Sequence, residues 1–142
     1  MATLIAATNI SSTTIPNQAP VQESGRAVQT VSAPAGTIIT MIREASGKFG
    51  VDENLALEIA RCESTMRQFD KNGNVVRGLV NPKDIGIFQI NEDYHLTQSR
   101  KLGLDIYTTR GNIEYAMTLI KKSGHAPWSS SEPCWGDHVA MK

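Results

Sequence analysis

Three segments between residues 37 and 124 carry apolar residues at helical spacing, and a single Asn72-Gly73 dipeptide lies between them. That pattern restricts the chain to helices with one small β insertion. In 37–50, Ile38, Met41, Ile42 and Ala45 recur at helical intervals, and Gly50 offers a stop. In ENLALEIARCES, Leu55, Ile59 and Cys62 form one stripe, with Ala56, Ala60 and Glu63 beside it and Asp52 placed as N-cap. In TTRGNIEYAMTLIKKSG, Ile113, Ala116, Met117 and Ile120 form the apolar face; Lys121, Lys122 and Gly124 suit a helix C-terminus. Asn72-Gly73, between Phe69 and Val75-Val76, predicts a two-residue hairpin. GIFQIN (86–91) reads as strand or buried helix, and LTQSRKLG (96–103) as a short helix ending at Gly103. The expected class is therefore mainly α with a small β-hairpin.

The helical stripes confine the core to residues 37–142. Residues 1–36 are rich in Ser, Thr, Ala, Pro and Gln, hold only Glu23 and Arg26 as charges, and lack aromatics. Such a segment buries too little apolar area to offset its ordering entropy and reads as a flexible, low-complexity N-terminal arm. Leu4–Ala7 is too short, and lacks the preceding basic residues, for a secretory signal. With 142 residues in all, there is enough chain for one core. Fourteen basic and fourteen acidic side chains give zero net charge, which offers no footprint for nucleic acid. No apolar run approaches the ~18 residues of a membrane span.

Cys62 and Cys134 are the only cysteines. They are too few for a structural zinc site, and His95, His125 and His138 show no ligand spacing with them, so neither metal nor cofactor is expected. Two buried thiols and one long-loop disulfide remain equally open at this point. Glu63 is the most informative carboxylate. At the end of an apolar helix it would be desolvated, which raises a carboxyl's pKa toward that of a general acid. Taken alone, it reads better as an exposed helix-end residue with no role. Asp70, at the hairpin mouth, and Asp84 are the possible second carboxylates, but Asp70 beside Asn-Gly reads first as a turn residue and Asp84 as a cap or turn residue. Gln89, Asn91, Tyr94, Tyr107, Tyr115, Trp128 and Trp135 supply amides and flat rings of the kind that line sugar sites and ordinary cores alike.

Taken together, Glu63-Ser64 in LALEIARCES, Gly86–Ile90 in GIFQIN and Asn112-Ile113 in GNIEYAMTLI occur in an order that resembles the signature blocks of the soluble-lytic-transglycosylase domain. That domain is a branch of the lysozyme-like superfamily. PWSSSEPCW resembles the Trp- and Ser-containing tail of such domains, so the resemblance covers roughly residues 37–136. It implies a single lysozyme-like (α+β) domain over 37–142 that cuts the MurNAc–GlcNAc β-1,4 bond of peptidoglycan and leaves 1,6-anhydro ends. Glu63 would be the catalytic acid/base. Ser64, Gln89, Asn91, Asn112, Tyr115 and Trp128 would support it or bind substrate. Lys83-Asp84 stand where the family often has a Gly-Ala pair, and Leu119 where it usually has a Tyr. These departures keep open a lysozyme-type hydrolase using Asp70 or Asp84, and an inactive glycan-binding module. The resemblance further implies a monomer outside the cytoplasm, with no signal or anchor visible in this chain, and favours a Cys62–Cys134 disulfide.

Overall fold

The computed structural model describes residues 33–139. The expected arm at 1–36 falls almost wholly outside the described residues, and α1 (Ala35–Phe49) opens two residues before the expected start. Gly50 ends α1 in the left-handed conformation, its N–H bonded to the Ser46 carbonyl. In α2 (Glu53–Ser64), Asp52 accepts from the Leu55 N–H at 2.7 Å, the N-cap read from the sequence. Helices α3 (Glu92–Lys101), α4 (Thr109–Ser123) and α5 (Glu132–Val139) follow, with a 3-10 turn at Ala126–Ser131. Among the described residues the fold is thus mainly helical with a small antiparallel sheet, and no helix is long and apolar enough to cross a membrane.

The core gathers the faces read from the sequence. Ile38 and Ile42 of α1, Ala56, Ile59 and Ala60 of α2, and Ile113, Ala116 and Met117 of α4 are all buried. α1 packs against both α2 and α4, and α2 also packs against α5.

The β region is more elaborate than one hairpin. Phe69 pairs with Val75, and the Asp70 N–H donates to the Asn74 carbonyl at 2.8 Å. The connection is therefore Lys71–Gly73, three residues with Gly73 left-handed at φ 81°, not the expected two-residue turn. The Asp70 carboxylate selects this geometry by accepting from the N–H groups of Asn72 and Asn74. The named strands are β1 (Asp84–Ile85) and β2 (Ile90–Asn91), antiparallel in register Asp84 to Asn91 and Ile85 to Ile90. An Arg77–Ile85 bridge joins the two hairpins.

Two sequence readings need correction. The helix expected at 96–103 spans 92–101, because Asn91 caps it by accepting from the N–H groups of Asp93 and Tyr94. Residues 126–139, read as a Pro- and Ser-rich tail, are helical. Pro127 and Pro133 stand in first turns, where a missing N–H costs no hydrogen bond.

Candidate active site

Helix α2 carries Glu63 just beyond its buried stripe, at the edge of the core. The chain then turns sharply: Thr65 (φ 54°) and Met66 (φ 61°) are both left-handed although neither is glycine. Such residues cost about 1–2 kcal/mol each and persist only where their surroundings enforce them. Ser64 does much of that. Its Oγ donates to the Ile87 carbonyl at 2.8 Å and accepts from the Arg67 N–H at 3.0 Å.

The facing wall is the turn Gly86–Gln89 between β1 and β2, and two buried amides hold it. Gln68 Oε1 accepts from Ile87 N–H at 3.1 Å, and Asn112 Oδ1 accepts from Phe88 N–H at 2.9 Å. Asn112 Nδ2 donates to the carbonyls of Ile85 and Ile106, and Gln68 Nε2 donates to Ile106 as well. Gly86 is left-handed at φ 73°, and a Cβ there would run into both amides. Gln89, left-handed at φ 48°, donates from Nε2 back to the Gly86 carbonyl.

The third wall is the C-terminal segment. Ser131 Oγ donates to Glu63 Oε1 at 2.6 Å and accepts from Trp135 Nε1 at 3.1 Å. Trp128 Nε1 donates to the Phe88 carbonyl at 2.8 Å, so the same segment grips the Gly86–Gln89 turn. A Cys62–Cys134 disulfide, with Cα atoms 6.1 Å apart, ties α5 to α2 one residue before Glu63.

Glu63 and Gln89 line two adjoining spaces. The larger, about 800 Å³, runs past Arg67, Asp70, Arg77 and Tyr107. The smaller, about 140 Å³, is bounded by Asp84, Asn91, His95 and Trp128. Burial raises the Glu63 pKa above the ordinary 4.5; the Ser131 hydrogen bond opposes that rise, and the charge of Asp84 adds to it.

The remaining sequence-selected residues divide between cleft and core. Asp84 and Asn91 border the smaller lobe, joined by an Asn91 Nδ2 to Asp84 Oδ1 bond of 2.7 Å. Asp70 lines the larger lobe as a turn residue, its pKa lowered first by the Asn74 N–H. Ser64 and Asn112 are buried scaffolding. Tyr115, expected to bind substrate, is instead 1% exposed, because its ring completes the inner face of α4 and its hydroxyl meets His95 Nδ1 at 3.1 Å.

Sequence reasoning missed Gln68, Ser131 and the cluster around Glu92. Glu92 accepts from Arg77 through both carboxylate oxygens and from Tyr107 Oη at 2.7 Å, and Lys83 Nζ lies 3.3 Å away. The Arg77 bonds, then the Tyr107 bond, hold its pKa down to about 2. Arg77 and Tyr107 both face the larger lobe, so Glu92 fixes that wall from behind. Among the described residues, no group of three or more His, Cys, Asp or Glu side chains is placed to hold a metal ion.

No protein-family profile and no solved structure matches the chain. Among curated proteins it is similar to the formate-dependent phosphoribosylglycinamide formyltransferases of Pyrococcus furiosus, Pyrococcus abyssi and Pyrococcus horikoshii. Each is 25% identical over 108 residues, 72% of this chain and 25% of the relative. The chain thus spans about a quarter of the length of these relatives. They are named for formyl transfer, not for cell-wall cleavage. That finding overturns the function expected from the resemblance, a peptidoglycan-cleaving lytic transglycosylase.

Proposed function

We propose that the described domain has a lysozyme-like arrangement and is an acid–base enzyme. In this reading it cleaves a carbon–oxygen bond in an extended, hydroxyl-rich substrate, with Glu63 as the proton carrier. The observation that carries this reading is the position of Glu63: a desolvated carboxyl shared by two lobes of one cleft. A chain lying across both lobes sets one of its bonds against that carboxyl. Glu63 gives its proton to the departing oxygen as the carbon–oxygen bond breaks. The resulting carboxylate then takes a proton from the hydroxyl that bonds to the carbon in place of the departing oxygen, and returns to its starting state. The amides, guanidinium groups and Tyr107 along the walls suit a substrate rich in hydroxyl groups. The Cys62–Cys134 bridge supports placement in an oxidising compartment.

The test is incubation of wild type and Glu63→Gln with soluble β-1,4-linked glucose and N-acetylglucosamine pentamers, read by mass spectrometry. A parallel arm uses formate with phosphoribosylglycinamide, the compounds in the relatives' name, together with a nucleoside triphosphate to activate the formate. The expected result is cleavage of a pentamer by wild type and a loss of about 100-fold or more in Glu63→Gln. Formyl transfer by wild type, or cleavage that survives in Glu63→Gln, overturns the reading.

A further inference from the structure

The smaller lobe holds a group that the acid–base reading leaves unused. His95 lies on α3 and borders this lobe together with Glu63 and Asp84. Its Nδ1 is 3.1 Å from the Tyr115 hydroxyl, and the two rings meet edge to face at 5.6 Å.

The buried Tyr115 hydroxyl points to one tautomer of His95. Tyr115 is buried, and a buried hydroxyl places its hydrogen on an acceptor. Among the described residues its hydrogen-bond partner is His95 Nδ1. With Tyr115 donating, Nδ1 is the bare nitrogen and Nε2 carries the proton. Nε2 lies across the ring from Nδ1, so it is turned away from Tyr115, on a side chain that lines the lobe. Burial also lowers the His95 pKa, which keeps the ring neutral.

We infer that the smaller lobe is a recognition subsite for one uncharged, oxygen-bearing unit of the substrate, which accepts a hydrogen bond from His95 Nε2–H. The unit must be small, because about 140 Å³ is the space of roughly five waters. It is not an anion, because the Asp84 carboxylate repels one and His95 supplies no positive charge to offset that; and the atom facing His95 is a neutral oxygen, because it accepts the hydrogen bond. Asp84 and the Gln89 side chain accept from its hydroxyl groups, while His95 reads one of its oxygens. Tyr115 acts as a positioning residue, because its hydroxyl sets which nitrogen donates. This inference rests on the reading of the cleft as the substrate site.

Long-range ¹⁵N–¹H NMR of the imidazole tests it. Spectra are taken with Glu63→Gln, to prevent turnover, before and after addition of cellopentaose, chitopentaose or an oligogalacturonate. The expected result is an Nε2–H tautomer in the free protein and a shift of Nε2 with a neutral pentamer. His95→Phe should weaken that binding about tenfold, the worth of one hydrogen bond. Tyr115→Phe should leave a mixture of tautomers. A free-state Nδ1–H tautomer, a silent Nε2 while the cleft amides shift, or equal binding of oligogalacturonate overturns the subsite. If no probe moves any cleft resonance, the substrate reading of the cleft falls, and the subsite with it. A silent His95 beside Glu63-dependent cleavage sinks the subsite alone.

Discussion

Ser131 and Glu63 meet from opposite ends of the domain: the serine Oγ donates to Glu63 Oε1 at 2.6 Å while it accepts from Trp135 Nε1 at 3.1 Å. The bond orients the carboxyl toward the cleft and moderates the pKa rise that burial imposes. Ser131→Ala should therefore move the Glu63 titration further upward. It also strands the Trp135 N–H in a buried position, at a cost of about 1–3 kcal/mol. Chemical denaturation and the acid limb of the rate profile check both effects; an unchanged limb would mean that Ser131 does not act on Glu63.

Glu63 itself should cost stability at neutral pH. Its folded pKa is raised, so the folded state holds the proton more tightly than the unfolded state does. Stability is full below the unfolded value of about 4.5 and is lost as pH rises through the folded value. Glu63→Gln removes this loss. It should melt above wild type at pH 7, with the gap closing below pH 4.5, as thermal melts across that range would show. A constant gap at every pH contradicts the account.

Glu92 behaves in the opposite sense. Its folded pKa is depressed to about 2, so its contribution is present above about 4.5 and is lost as pH falls between those values. Its partners Arg77 and Lys83 are 44% and 50% exposed, and solvent screens them. Glu92→Gln is accordingly expected to cost about 1–2 kcal/mol at pH 7 and almost nothing at pH 2, measured by urea denaturation. Equal cost at both pH values would assign the effect to packing.

The disulfide closes 72 residues of sequence separation, worth about 4 kcal/mol in the chain-entropy description. Reduction should lower the denaturation midpoint and free α5, and with it the Ser131 contact. A midpoint indifferent to reductant would show that α5 is held by its apolar packing alone.

Helix-forming segments were legible because their signals are local. Apolar spacing and the Asp52 cap located α2 to the residue, and the same stripe directed attention to Glu63. What surrounds Glu63 was less legible, because it arrives from far along the chain. Ser131 lies 68 residues away, and although PWSSSEPCW stands out as a segment, its spacing does not say which of its serines meets Glu63. Gln68 looks like any loop amide until the fold places it under Ile87. Asn91 was ambiguous because one side chain both borders the smaller lobe and caps α3. Tyr115 misled for a related reason: its type suits a sugar site, but its place on the inner face of α4 buries it. The functional expectation carried by resemblance did not survive comparison with curated proteins, whereas Glu63's position in the cleft stands on geometry alone.

In the proposed reading, Glu63 is a desolvated carboxyl held as a proton donor at the junction of two lobes. A ¹³C NMR titration of its side-chain carboxyl tests this most directly. The expected midpoint lies above the ordinary 4.5 and moves higher still in Ser131→Ala. A midpoint at or below 4.5 in the wild-type protein would contradict it.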